Sequence, residues 1–338
     1  MPGLIDTGDL VRRLRSEQRT GIEQVGWKQA AEQWGAVART GGMVLRAAPH
    51  LPAPLVTGAA RLARAVIGEE TIPLWQKDLP GGGVPRVALS NPHAEIVFFA
   101  ACIGTMFAPA EGSPGVTSAF LTLCQRAGIE VTVPDGIASM CCGTPWKSKG
   151  LTDGYEYMRE RVLPALWKAS RHGEIPVVCD AASCTEGVER MIGIDDERFP
   201  GLRIIDAVQF TDERILDGLT VTAPIGALAL HPTCSSTHLG TNDALMRIGS
   251  VVAAEAVLPD GWGCCAFAGD RGMLHPELTA SATAPEAASV STRAFDAYAS
   301  TNRTCELGLT RATGHQYEHL LEVLERATRP LNSQRQTP

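Results

Sequence analysis

Apolar residues along this chain follow two different rhythms. Within residues 1–70 they recur at three- and four-residue intervals. Trp27, Ala30, Ala31, Trp34, Val37 and Ala38 share one face of Glu23–Thr40, and Leu51, Leu55, Leu62 and Val66 share another just after it. That spacing predicts helices, because 3.6 residues complete a turn. LPGGGVP (Leu79–Pro85) then interrupts the pattern as a linker that holds neither a helix nor a regular strand. Beyond it, short apolar runs alternate with helical stretches. Strands are expected at Glu95–Ala100, Ile129–Val133, Pro176–Cys179, Arg203–Ile205, Ala227–Leu230 and Val251–Val257. Helices are expected at Val116–Ala127, Gly154–Arg171, Thr185–Ile192, Asn242–Ile248, Glu286–Ala299 and Gln316–Ala327. Such alternation points to βαβ units and to parallel or mixed sheets.

The second region also repeats itself. FFAACIGTMFAPAEG and LALHPTCSSTHLGTN each run from a strand into one cysteine. SMCCGTPWKSKG and WGCCAFAGDRG follow, each with an adjacent pair, and DAASCTEG and TNRTCELG close the two halves with one cysteine more. The expected fold is therefore α/β: two pseudo-repeated cysteine-rich lobes with parallel or mixed sheets, preceded by an N-terminal helical arm. The boundaries expected are 1–89 for the arm and linker, 90–215 and 216–330 for the lobes, and 331–338 for a disordered tail.

A length of 338 residues and a hydrophobic content of 44% suit about two ordinary domains. The net charge of −7 argues against nucleic acid as a partner. Gly41–Ala60, the longest weakly charged stretch, contains Arg46, His50 and three prolines, so no membrane span is expected. The opening MPGLIDTGDLVRRLR has no apolar secretory core, and the expected location is the cytoplasm. Ten cysteines there cannot be a disulfide framework, since the cytosol keeps thiols reduced. Metal ligation or redox chemistry is the leading reading.

Each half supplies four repeated thiols: Cys102, Cys141, Cys142 and Cys184 in the first, Cys234, Cys264, Cys265 and Cys305 in the second. Four thiolates are the complement of a 4Fe–4S cube, so one or two such clusters are expected. Gly143 beside the first pair, and Gly263 and Gly269 around the other, are expected to let backbone N–H groups approach the cluster sulfurs. Zinc is the rival metal, though structural zinc sites favour short Cys-x₂₋₄-Cys knuckles over adjacent pairs. No catalytic residue is assigned. Cys124 is read as core, and Cys179 as structural, or as an extra ligand or nearby redox thiol beside Cys184. Asp270 and Arg271, followed by His275, read as a local ion pair holding the cluster loop or as a docking site. His231 reads as a loop-positioning residue, Lys147 and Lys149 as exposed solvated cations, and Trp27 and Trp34 as core anchors.

At these residues the chain resembles the cysteine-rich CCG-domain family of heterodisulfide reductase-like iron–sulfur oxidoreductases. SMCCGTPWKSKG, HPTCSSTHLG, GCCAFAGDRGMLHPELTASA and TNRTCELGLTRATG look most like the C-terminal iron–sulfur region of bacterial FAD-linked D-lactate dehydrogenases of the cytochrome or quinone type. IDTGDLVRRLR resembles the segment just after the last cluster-binding Cys-Pro of a ferredoxin-like domain in those enzymes. The resemblance implies D-2-hydroxy-acid oxidation of D-lactate or glycolate type at a flavin, with electrons leaving through iron–sulfur centres to a quinone or cytochrome.

Neither a flavin domain nor the ferredoxin cysteines are visible. FAD is thus expected only on a partner flavoprotein, and this chain is expected to be a subunit or C-terminal fragment that is not catalytic alone. Through such partners it would sit at the inner face of the membrane. Two departures from the family pattern stand out. Ala266 follows the second pair where the motif prefers Gly, and both halves lack a closing Cys-x-x-Cys. A four-thiolate cube is therefore expected over a five-thiolate non-cubane cluster. The alternatives are a heterodisulfide reductase-like thiol–disulfide subunit, a zinc-stabilised scaffold, and a non-functional remnant of a truncated gene.

Overall fold

The computed structural model describes residues 7–195 and 197–330. The tail expected at 331–338 lies outside them. Four helices come first: α1 (Thr7–Gln18), α2 (Gly21–Glu32), α3 (Trp34–Ala47) and α4 (Ala53–Ile67). The start of α2 is written in Thr-x-x-Glu. Thr20 accepts from the Glu23 N–H while Glu23 accepts from the Thr20 N–H at 2.9 Å, so two otherwise orphaned donors are satisfied. Helices α2 and α3 bury the predicted face, with Ala31, Trp34 and Ala38 nearly inaccessible. Trp34 meets Trp146 edge to face at 4.9 Å, and the Trp146 indole N–H donates to the Trp27 carbonyl at 2.8 Å.

The second predicted stripe behaves differently. Leu51, Leu55, Leu62 and Val66 are between 56% and 78% exposed, and α4 has no buried residue. Periodicity reports that one face is apolar, not that anything covers it. The linker at 79–85 holds no regular element, yet it is closely packed. A Cβ on Gly82 would lie 1.9 Å from the Gly42 carbonyl oxygen, and one on Gly83 1.9 Å from that of Gly104. Only glycine lets this strap run flush between backbone segments.

Strands β1 (Ile96–Phe99), β2 (Val131–Thr132), β3 (Val177–Cys179) and β4 (Ile204–Asp206) form a parallel sheet in the order β2-β1-β3-β4. Strands β5 (Ile225–Leu230), β6 (Ala253–Val257), β7 (Ala297–Ser300) and β8 (Tyr317–His319) form a second in the order β6-β5-β7-β8. The fold is α/β, and the two sheets share one topology. In the first, α5 (Ile103–Met106) and α6 (Val116–Arg126) follow β1, α7 (Thr144–Lys149) and α8 (Thr152–Ala169) follow β2, and α9 (Ala182–Ile194) and α10 (Ala207–Arg214) follow β3 and β4. In the second, α11 (Cys234–His238) and α12 (Asn242–Val252) follow β5, α13 (Arg271–Leu274) and α14 (Pro276–Val290) follow β6, and α15 (Arg303–Thr313) and α16 (Leu320–Ala327) follow β7 and β8. Central strands covered on both faces read as unbroken apolar runs, as in the wholly buried Ile96-Val97-Phe98-Phe99. One apolar cluster runs from Trp34 through Phe98 and Phe120 to Leu228 and Leu324, so both sheets share a core.

Two strands replace expected helix. Glu286–Ala299 splits, because α14 ends at Val290 and Ala297–Ser300 is β7. Ala-Tyr-Ala-Ser carries little strand propensity of its own. Pairing with β5 on one side and β8 on the other, with all four residues buried, decides its state. The expected helix at Gln316–Ala327 begins as β8 and turns helical only at Leu320, where the His319 ring accepts the Leu321 N–H. Asp206 caps α10 in the equivalent place of the first lobe by accepting the Val208 N–H. Among the described residues no helix is long and apolar enough to cross a membrane.

Trp146 is wholly buried and joins the arm to the first lobe. Trp146→Ala should therefore cost about 3–5 kcal/mol, read from the midpoint of denaturant unfolding. It should also open α2 and α3 to limited proteolysis. A loss below about 1 kcal/mol would mean that the arm is held by other contacts.

Candidate metal centre

In a parallel sheet every strand ends at the same edge, so the loops that follow different strands meet there. Cys102 lies just beyond β1, Cys141 and Cys142 lie between β2 and α7, and Cys184 stands in the first turn of α9 after β3. Cys234 opens α11 after β5, Cys264 and Cys265 lie between β6 and α13, and Cys305 stands in the first turn of α15 after β7. The eight residues thus occupy equivalent places, and the fold draws each four together across some seventy to eighty residues of chain.

In the first set the sulfurs of Cys102 and Cys141 are 3.6 Å apart. Bonds from the thiols of Cys141 and Cys184 hold the Cys142 pKa well below the ordinary thiol value, and the Thr144 hydroxyl, 3.3 Å away, adds to the effect with its backbone N–H. The donors move the other way. Cys184 is pushed up by donating to Cys142, Cys141 chiefly by burial, and Cys102 is lowered by its bond with Cys141. In the second set the sulfurs of Cys265 and Cys305 are 2.9 Å apart. The Cys234 thiol, with the Ala266 N–H at 3.4 Å, brings Cys264 down to about 6. Cys234 rises chiefly through its bond to Cys264, and Cys305 through its bond to Cys265 and then through burial. Each set is all sulfur, with N–H or O–H donors directed at it. That chemistry fits a sulfur-bridged iron cluster and not a hard cation, while among the described residues no three such side chains converge as a single metal ion requires.

The two sets differ in exposure. All four residues of the first are buried, whereas Cys234 and Cys264 in the second are exposed. They are also neighbours. Glu186 on α9, two residues beyond Cys184, accepts from the hydroxyl of Ser235 at 2.7 Å, and Ser235 follows Cys234. The Ser183 N–H donates to Asn302 at 3.2 Å across the same boundary.

The turn after each Cys-Cys pair is left-handed, with φ of 77° at Gly143 and 53° at Ala266. A Cβ on Gly143 would also come within 2.4 Å of the Met191 methyl and 2.7 Å of the Tyr155 ring, so glycine is required there twice over. Ala266 holds the same turn against a cost of about 1–2 kcal/mol. Gly269 is left-handed too, at 76°. Gly263 has open space around it and no left-handed φ, so no protein neighbour demands a glycine there. At two glycines outside the expected set a neighbour does. A Cβ on Gly187 would meet the Thr144 hydroxyl at 2.7 Å and the Cys142 carbonyl at 2.9 Å, and one on Gly308 would meet Thr279 at 3.1 Å. Each stands three residues after the last cysteine of its set, and the recurrence of Cys-x-x-Gly in CTEG and CELG is the sequence signal for both.

The surrounding charges are arranged differently from the sequence expectation. Asp270 pairs with Lys149 at 2.9 Å, not with its neighbour Arg271. Lys149, expected to be exposed, is only 9% accessible; it ties the two Cys-Cys loops together and lies over the Trp27 ring at 5.4 Å. Lys147 lies over the Tyr155 ring at 5.8 Å, and His275 reaches back to Glu70 at 2.6 Å. His231 is fully buried with Nδ1 2.7 Å from Glu286. Cys124 is inaccessible on the buried side of α6, where burial lifts its thiol to about 12. Cys179, also inaccessible, ends β3 with its thiol in hydrogen-bonding reach of Cys184.

Known proteins share these features. The family model of the cysteine-rich domain (CCG) matches the chain twice, over residues 96–187 and 228–310, together just over half of its length. Each match contains one complete set of four thiols. The chain is 22% identical over 228 residues to the glycolate oxidase iron-sulfur subunit of Escherichia coli (strain K12), covering 64% of this chain and 54% of that protein. It therefore spans about half the length of that curated relative. Among solved structures it is similar to an aspartate racemase homologue from Pyrococcus horikoshii OT3. That likeness, at 10% identity and a TM-score of 0.28 over 69% of this chain and 96% of the other, is too weak to define a shared fold.

The left-handed turns yield a paired expectation. Ala266→Gly should stabilise the chain by up to about 1 kcal/mol through relief of the turn. Gly143→Ala should destabilise it by several times as much, because its Cβ has no free space. Thermal and denaturant unfolding of both variants reads the difference. Equal losses for the two would refute the assigned turn geometry.

Proposed function

This chain belongs to the cysteine-rich domain family, and from that premise we propose that it is the iron–sulfur electron-transfer module of a D-2-hydroxy-acid dehydrogenase. The observation that carries the reading is the doubled constellation of four thiols at equivalent edges of two parallel sheets. Cys102, Cys141, Cys142 and Cys184 would hold one 4Fe–4S cluster, and Cys234, Cys264, Cys265 and Cys305 a second. Such a cluster, when bound, takes up and releases single electrons. The protein's own part is to hold the sulfurs, to aim the N–H groups of Thr144 and Ala266 at them, and to keep water from the first set.

A glycolate oxidase iron–sulfur subunit among the relatives supports a hydroxy acid of glycolate or D-lactate type as the source of electrons. The substrate would be oxidised on a partner flavoprotein carrying FAD, and the chain alone would not turn it over. We assign the exposed thiols Cys234 and Cys264 to the face that meets this partner. Electrons would pass from there through the buried first set to a quinone or cytochrome at the cytoplasmic face of the membrane.

Metal content tests the proposal. Anaerobically purified chain should hold about eight iron and eight sulfide, bleached by dithionite. Cys142→Ala should remove about half of the iron and Cys264→Ala about the other half, since each lobe supplies its own four ligands. Cys124→Ala should leave the iron unchanged, and Cys179→Ala should not mimic Cys184→Ala. Stoichiometric zinc without iron would overturn the reading in favour of a scaffold.

A further inference from the structure

A cavity of about 320 Å³ opens beside the chain segment that carries Cys102. The two neighbours of Cys102, Ala101 and Ile103, form part of its wall. It lies beyond the carboxyl ends of β1 and β3, where the sheet order β2-β1-β3-β4 reverses direction. Open parallel sheets bind their ligands at that switch point. Phe98, Ile103, Phe107, Val116 and Leu121 make most of the wall apolar, and the largely exposed Val84 and Val87 flank it from the linker. The volume falls in the range of small-molecule sites.

The polar end of the cavity carries three carboxyl groups, Asp180, Glu306 and Glu322, against two guanidinium groups. The terminal nitrogens of both guanidinium groups are committed to the protein. Arg86 donates to the carbonyls of Ala100 at 2.8 Å and Met140 at 2.7 Å, and Arg303 donates to that of Ala108 at 2.7 Å and to Glu306 at 3.0 Å. Asp180 accepts from the Ala101 N–H at 2.7 Å and the Thr117 hydroxyl at 2.8 Å. Glu322 reaches across from α16 of the second lobe to accept from Ser113. Burial, followed by the charge of Glu306, raises Glu322 to about 8, so near neutral pH it keeps a proton that it can donate to a ligand oxygen. A hydroxy-acid carboxylate would face three carboxyl groups, with a single unpartnered guanidinium N–H, the buried Nε of Arg86. A neutral, flat, oxygen-bearing ring fits both ends.

We propose that this cavity binds a quinone-type electron acceptor, ring between the apolar walls and one oxygen toward Glu322. The inference rests on the electron-transfer reading above. Conversion of a quinone to its quinol takes two electrons and two protons. The electrons would come singly from a reduced cluster, were one held by Cys102, Cys141, Cys142 and Cys184 and reoxidised each time, and the protons would come from water by way of Glu322.

Equilibrium dialysis of the anaerobically purified full chain with a short-chain ubiquinone analogue tests the site, with iron measured on the same samples. One saturable site is expected. Val116→Trp and Leu121→Trp, which fill the cavity, should weaken binding at least roughly tenfold without changing iron content. Photolabelling of the unmutated chain with an azidoquinone should mark peptides containing 103–121 or Glu322, and it decides the matter should the variants fail to fold. Unaltered affinity in folded variants, or label elsewhere, would overturn the proposal. Iron-loaded chain that binds no quinone defeats the cavity alone; iron-free chain that binds it there defeats only the electron-transfer reading.

Discussion

Everything in this molecule depends on the directional constraint of a parallel sheet. Because all strands point the same way, three successive loops are delivered to one edge, and cysteines about forty residues apart in the chain become neighbours. Antiparallel strands would send alternate loops to opposite edges and scatter the same residues. The connections must then be long, and the helices that fill them cover both faces of each sheet, which in turn demands wholly apolar central strands such as β1.

Packing at that edge is tight because thiols, backbone and helix N-termini crowd into the same space. Gly143 and Gly187 approach one another's loops where any Cβ would collide. The second lobe accepts a looser solution, with Ala266 in the turn and open space around Gly263 and Gly269. The difference in exposure follows the same line. The first set is buried, and the second keeps Cys234 and Cys264 open to solvent. Duplication produced two equivalent frames, and the surroundings made them unequal.

The charged groups serve this asymmetry. Lys149 and Asp270 join the two Cys-Cys loops in a half-buried pair, and Glu186 joins α9 to the loop of Cys234. The cavity at the β1–β3 switch point draws its polar end from both lobes, so its existence depends on how they meet.

The amino-acid sequence by itself determined the periodic helices of the arm, most of the strands, the doubled order of single, paired and single cysteines, and hence the α/β class. These are properties of local spacing and of repetition, which a linear chain displays. Only the tertiary structure decided that Ala297–Ser300 is a strand, since four weakly committed residues take the state that their two neighbours impose. It likewise decided that the Leu51–Val66 stripe lies bare, that Lys149 is buried against Asp270, and that Gly187 rather than Gly263 is sterically required. Each of those facts is a contact between segments far apart in the chain. Contacts of that kind leave no periodic trace, because they are selected by the shared core and by the edge at which the strands end.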